Sequence, residues 1–164
     1  MSQIREKVFQ NLEEAIPVIN KWKDAGKKIV FTNGCFDLIH IGHVLYLEEA
    51  KSLGDILVVG VNSDVSVQRI KGPHRPIKDI FNRSHILAAL SSVDAVIPFD
   101  DDTPYTLIRT ILPEVLVKGG DWAPEQIVGS DVVMSHGGSV KSLQFIEGYS
   151  TTALEEKIKN QTLI

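Results

Sequence analysis

The sequence predicts an α/β protein built on a doubly wound, parallel five-stranded sheet. Three observations carry this. Short apolar runs alternate with amphipathic stretches along the chain. The run DILVVGVNSD at 55–64 is apolar almost throughout, as a strand covered on both faces must be. Polar segments recur directly after the apolar runs, at the edge where an open parallel sheet binds its ligands.

Each element follows in order. Val8, Leu12, Ile16, Ile19 and Trp22 repeat at helical spacing, which predicts a surface helix over 8–25 closed by Gly26. KKIVFTN reads as the first strand and HVLYLEEAKSLG as an amphipathic helix ending at Gly54. After the second strand, the polar stretch 68–79 interrupts the rhythm. FNRSHILAALSSV reads as a helix and DAVIPF as a strand. TPYTLIRTIL reads as a helix with Thr103 as N-cap and Pro104 at its first position. EVLVKGGD and SVKSLQF complete the strands, and STTALEEKIKN closes the chain as a helix. The division expected is an N-terminal helix over 1–26 packed on a single domain over 27–164.

Composition bounds the function. The 164 residues carry 17 basic and 21 acidic side chains, a net charge of −4, which argues against a dedicated nucleic-acid binder. One cysteine, Cys35, excludes an internal disulfide and a multi-cysteine metal site. The charged N-terminus has no apolar segment of a signal peptide, and no apolar run nears membrane-spanning length. A cytoplasmic protein without a membrane partner is expected. The sequence has no G-x-x-x-x-G-K-[ST], no G-x-G-x-x-G after its first strand and no H-E-x-x-H.

The sharpest feature is His40-Ile41-Gly42-His43. A helix starting near His40 offers free backbone N–H groups and a positive dipole end, which suit a phosphate. Two imidazoles three residues apart share a helix face, and Gly42 lets a ligand approach the backbone. Such donors would stabilise charge growing on a phosphoryl group. The plainer alternative is a capping histidine with an accidental neighbour. Lys71, His74 and Arg75 gather cations in a loop held by Pro73 and Pro76, with Arg83 beyond. Lys118-Gly119-Gly120-Asp121-Trp122 follows a strand directly, as a tight turn or a ligand contact. Ser150-Thr151-Thr152 opens the last helix, and Thr152-x-x-Glu155 fits a capping box. Asp100-Asp101-Asp102 reads as favourable charge at a helix start and not as a metal cluster.

Gly34-Cys35-Phe36-Asp37, followed by His40-x-Gly42-His43, resembles the signature of the HxGH nucleotidyltransferase superfamily. That superfamily includes glycerol-3-phosphate and choline-phosphate cytidylyltransferases and pantetheine-phosphate adenylyltransferase. The resemblance continues in Ala50-Lys51-x-Leu53-Gly54-Asp55, Asn62-x-Asp64 and the block from Glu147 to Thr152. KGPHRP, FDDDTPYTLI, LPEVLVKGGDW and EGYSTT are similar to the adenylyltransferase domain of bacterial heptose-phosphate kinase/adenylyltransferases. The similarity runs from about residue 12 to the end of the chain.

The resemblance implies a Rossmann-like fold and a set of roles. His40, His43 and Lys71 would be catalytic. Gly34, Cys35, Phe36, Gly42, Gly148, Ser150, Thr151 and Thr152 would bind the nucleotide, and Arg75 and Arg83 its phosphates. Asp37, Asn62, Asp64, Lys118 and Asp121 would contact sugar phosphate or nucleotide. No protein metal ligand is expected, and Mg2+ would bridge the phosphates of ATP. The substrates implied are ATP and D-glycero-β-D-manno-heptose 1-phosphate, giving ADP-heptose for lipopolysaccharide core, in a homo-oligomer, a dimer first. The 164 residues match only the adenylyltransferase part of the bifunctional enzymes, so a separate kinase is expected upstream. Cytidylyltransferases place Arg-Thr before Glu-Gly-x-Ser-Thr-Thr, whereas this chain has Phe145-Ile146. The alternatives are a glycerol-3-phosphate or related cytidylyltransferase, and a non-catalytic nucleotide-binding module.

Overall fold

The computed structural model describes residues 3–144 and 148–161. At its centre lie five parallel strands: β1 (Ile29–Gly34), β2 (Ile56–Asn62), β3 (Ala95–Phe99), β4 (Val115–Gly119) and β5 (Ser139–Leu143). Their order is β3-β2-β1-β4-β5, so the winding reverses between β1 and β4. The helices, in chain order, are α1 (Leu12–Asp24), α2 (Ile41–Ser52), α3 (Asp64–Lys71), α4 (Ile80–Ala88), α5 (Tyr105–Ile111), α6 (Ser130–Ser135) and α7 (Thr151–Gln161).

Alternation along the strands builds a core on each face. Val30, Leu57, Val59 and Val61 pack with Leu47 and Ala50 of α2 and Leu87 and Ala88 of α4. Ile29, Phe31 and Val58 turn the other way, onto Ala15 and Ile19 of α1 and Leu107, Ile108 and Ile111 of α5. Period-two side-chain placement forces this division once helices cover both faces. Lys23 ties α1 further, donating to the carbonyls of Ile111 (2.5 Å) and Leu112 (2.6 Å). At the N-terminal ends of the strands, acidic side chains accept backbone bonds: Asp55 from Lys28 N–H, Glu114 from Ile29 N–H and Asp94 from Leu57 N–H. Three carboxylates are thereby fixed at the strand starts, the end of the sheet opposite the strand ends.

The structure corrects several sequence expectations. The first helix begins at Leu12, because the Asn11 side chain accepts from Glu14 N–H while Val8 pairs in parallel with Val96 on the edge strand β3. The polar stretch 68–79 does interrupt the rhythm, but its first four residues belong to a helix, α3, that the sequence reading did not anticipate. The hydroxyl of Ser63 caps α3, which runs to Lys71 and ends where Gly72 turns to φ +96°. Thr103 does not cap α5; Pro104 holds that position without a side-chain bond. Arg69 draws Asp100 and Asp102 toward α3, and Ser63 also donates to Asp100, so the acidic run serves α3 instead of the helix after it. The short helix α6 has no counterpart in the sequence reading. The ends expected for the last strand, at Phe145, and for the Glu147 block lie outside the described residues.

Ile19 is fully buried at the centre of the α1 face. Ile19→Ala is expected to cost about 2–5 kcal/mol, read as a lower urea midpoint with an unchanged slope.

Candidate active site

The reversal between β1 and β4 opens a crevice, and the chemistry-bearing residues line it. One cavity of about 190 Å³ is bordered by Asn33, Cys35, His43, Tyr46, Lys71, Lys118 and Thr151, among others. Asn33 and Lys118 also border an apolar cavity of about 270 Å³ with Pro104, Trp122, Ile127 and Val128. A third cavity, of about 250 Å³, lies against His40, between Gly148, Tyr149, Ser150, Ala153, Leu154 and Lys157.

The two histidines cap the helix they introduce. The His40 Nδ1 accepts from Gly42 N–H at 3.1 Å, and the His43 Nδ1 accepts from His40 N–H at 3.3 Å. An imidazole nitrogen that accepts carries no proton, so in the neutral ring the proton sits on Nε2. Each ring therefore keeps an outward N–H donor while its inner nitrogen holds the backbone. The rings stack with centroids 3.9 Å apart, and Phe36 meets His43 edge-on at 5.4 Å. Burial lowers the pKa of both; His43, pressed further by His40 and Lys71, is brought to about 4. Both are neutral donors at pH 7. The capping weighed from the sequence is present on the inner nitrogens, and it leaves the Nε2–H of each ring available as a donor.

Gly42 has a sharper reason than access. A Cβ there would come within 2.9 Å of His40 Cε1 and 3.6 Å of Tyr149 Cβ. The missing side chain lets the His40 ring fold back over its own helix turn. Phe36 adopts φ +49°, a left-handed turn unusual outside glycine, which reverses the chain after β1.

A frame of buried polar groups holds this turn. Asp37, 2% exposed, accepts from Arg75 Nη1 (2.6 Å) and from the backbone N–H groups of Ile77 and Lys78. Arg83 is wholly buried and donates to the carbonyls of Cys35 (2.6 Å) and Lys78 (2.9 Å) and to Asp64 (2.6 Å). These positions correct the clamp expected of the basic loop. Arg83 offers no surface to a phosphate, and Arg75 points inward, with its second prong on Glu155 at 2.9 Å. His74 is exposed and borders none of the three cavities.

The remaining expected residues divide. Lys71 and Lys118 both reach the central cavity. Burial lowers the pKa of Lys118, the nearby Cys35 opposes this, and among the described residues its ammonium makes no hydrogen bond or ion pair. Asn62 is buried, donates to Ser66 at 3.0 Å and borders a neighbouring hollow with Cys35 and Lys118. Asp64 serves Arg83, and Asp121 borders none of these cavities and does not pair with Lys118. Ser150, not Thr152, caps α7, accepting from Ala153 N–H at 3.0 Å, because Glu155 is taken by Arg75. Sequence reasoning missed Asn33, whose place at the end of β1 was a usable signal, and the apolar wall of Pro104, Ile127 and Val128, which had none. It also missed Tyr46, hydrogen-bonded to Thr32 at 2.6 Å and pushed up to about 12 chiefly by burial. His85 and His136 lie away from these cavities and bond to the carbonyls of Phe81 and Val132.

The cytidylyltransferase-like family profile matches residues 31–157, which span the sheet and both histidines. The chain belongs to the cytidylyltransferase-like family. Its relatives include the Bifunctional protein HldE of Geobacter metallireducens, 57% identical over 92% of this chain and 31% of that one. The Bifunctional protein HldE of Geotalea uraniireducens is 53% identical over 94% and 32%. The chain thus spans about a third of the length of these curated relatives. Among solved structures, the lipopolysaccharide core biosynthesis protein of Thermoplasma volcanium matches with a TM-score of 0.59 and 30% identity, over 76% of this chain and 100% of that one. Pantoate-beta-alanine ligase of Francisella tularensis shares the fold, with a TM-score of 0.56 and 13% identity over 93% of this chain and 76% of that one. In this fold His43 after β1, Lys71 at the end of α3 and Lys118 at the end of β4 border one cavity, with His40 against the next.

Two outcomes follow from this geometry. Gly42→Ala should destabilise by about 1–3 kcal/mol in urea unfolding, because the His40 ring must swing away. In NMR titrations of the free protein, His43 should titrate near 4 and His40 below 6.5. The unfolded chain binds these protons at higher pH than the folded one, so both histidines withdraw stability as pH falls through 6.5, and the loss from His43 levels off near pH 4.

Proposed function

We propose that the protein is a nucleotidyltransferase that transfers the adenylyl group of ATP to a sugar 1-phosphate. The observation that carries this is the reciprocally capped His40–His43 pair, which keeps two Nε2–H donors at a helix N-terminus beside Lys71 and the unpaired Lys118. An oxygen of the acceptor phosphate attacks the α-phosphorus of ATP. The bond to the bridging oxygen of the β-phosphate breaks, and pyrophosphate leaves with the electron pair. His40 and His43 donate to the α-phosphate oxygens as their charge grows, while Lys71 and Lys118 neutralise the outer phosphates and the incoming one. No side chain need become a nucleophile, so Cys35 is a small wall residue.

The cavities suggest an arrangement for the rest of the substrates. The hollow against His40, with Gly148, Tyr149 and Ser150, suits the nucleoside end of ATP. The apolar cavity with Trp122 joins the phosphate cavity through Asn33 and Lys118 and suits the sugar ring. Among the described residues no group of three His, Cys, Asp or Glu side chains is set to hold a metal ion. Mg2+ would enter bound to the triphosphate and offset part of its charge.

We take D-glycero-β-D-manno-heptose 1-phosphate as the acceptor and ADP-heptose as the product. Support comes from the blocks KGPHRP and LPEVLVKGGDW, and from the relative whose name states lipopolysaccharide core biosynthesis. A cytoplasmic setting and a homodimer belong to the same reading. Among the described residues no helix is long and apolar enough to cross a membrane.

Pyrophosphate release, measured with ATP or CTP against heptose 1-phosphate or glycerol 3-phosphate, tests the proposal. Activity is expected with ATP and the heptose phosphate; turnover with CTP alone would replace the adenylyl assignment by a cytidylyl one. His43→Ala should lower kcat by about 10²–10³-fold, and an unchanged kcat would remove the role given to this donor.

A further inference from the structure

The start of α7 borders two cavities at once. Thr151 faces the one with His43 and Lys71, while Gly148, Tyr149, Ser150, Ala153 and Leu154 face the one against His40. Yet packing does little to hold this helix. None of its residues with described side chains is buried, and Leu154 and Glu155 are only half-covered. Hydrophobic burial, which fixes α1, α2 and α4, supplies little here.

The connection is ionic. Among the described residues, Arg75–Glu155 is the ion pair that joins α7 to the rest of the domain. Arg75 reaches Glu155 with Nη2 at 2.9 Å and Asp37 with Nη1 at 2.6 Å, and its side chain is 13% exposed. Asp37 is locked by the backbone N–H groups of Ile77 and Lys78 and directly follows the Gly34–Phe36 turn. A continuous run of bonds thus leads from the end of β1 through Asp37, Arg75 and Glu155 to α7. A guanidinium can address two carboxylates with separate prongs, which a lysine cannot do.

We propose that Glu155 is a positioning residue: its bond to the Asp37-anchored Arg75 sets α7, and with it the 148–152 turn, at the position the nucleotide requires. This rests on the nucleotidyltransferase reading for its consequence, though not for the bracket itself. Arg75 acts here on nucleotide affinity without touching a phosphate. Glu155 neutralised to glutamine loses the charge-assisted bond and keeps its size.

The test combines hydrogen–deuterium exchange of the free protein with steady-state kinetics. In Glu155→Gln, the amides of 151–160 should exchange about 3- to 10-fold faster, and the KM for ATP should rise by a similar factor, as expected for loss of one partly shielded ion pair. The kcat and the KM for the acceptor should stay within about twofold, the signature of lost binding and not of lost chemistry. Arg75→Lys, which keeps the charge and loses the second prong, should reproduce the pattern. Glu156→Gln, next door and exposed, should change neither measurement. Unchanged exchange in Glu155→Gln overturns the bracket, and faster exchange with an unchanged ATP KM overturns its link to the nucleotide. A fall in kcat with KM held overturns positioning in favour of a direct chemical role. If the wild-type protein releases pyrophosphate with no nucleotide, the functional reading fails, and the exchange measurement alone still decides the bracket.

Discussion

The carboxylate of Asp37 is the constraint on which the site depends. It lies buried at the end of the turn after β1, where a bare charge would be untenable. Two backbone N–H groups and Arg75 compensate it, and in doing so they draw the 72–78 loop against the turn. Arg83 performs the complementary task from below, filling the carbonyls of Cys35 and Lys78 while pairing with Asp64. Removing one member of such a buried pair typically costs about 3–5 kcal/mol, since the partner is left charged and unmatched. The frame is therefore self-enforcing, and it presents the first turn of α2 in one orientation.

On that frame, the side chains that cap α2 are also the donors proposed for the phosphate. An aspartate at the start of α2 would cap the helix but has no donor to offer, and a serine would carry its one O–H on the same oxygen that accepts the cap. Imidazole has two nitrogens on opposite sides of one ring, so it can bond inward to the backbone and outward to a ligand. Burial keeps both rings neutral, which preserves the inner nitrogens as acceptors. Charge is arranged on a larger scale too. The net charge of −4 conceals an acidic strand-start edge, occupied with backbone bonds, and a strand-end edge where Lys71 and Lys118 meet the cavity.

Much of this was legible beforehand. Five strands and the helices α1, α2, α4, α5 and α7 followed from apolar runs whose periods are local, while α3 and α6 did not; the His-x-Gly-His turn followed from its place after a strand. What misled was also local. Arg75 and Arg83 look alike in sequence to any phosphate-binding arginine, and only the positions of Asp37, Glu155 and Asp64 in space turn them inward. Thr152-x-x-Glu155 matched a capping box, but a distant arginine competes for Glu155 and leaves the cap to Ser150. Val8 fitted a helical repeat until an unpaired strand edge offered it Val96.

The sequence by itself determined the alternation of strands and helices, the capped helix start at His40 and the cluster of polar segments after the strands. Those features depend on spacing within a few residues, where side-chain period and backbone hydrogen bonding are set. The tertiary structure alone decided which cations face the cavity and which are spent on the frame, and that Asn33, Lys118 and Trp122 share one crevice. Such outcomes depend on pairings between segments tens of residues apart, whose energies exist only once the sheet has brought the partners together.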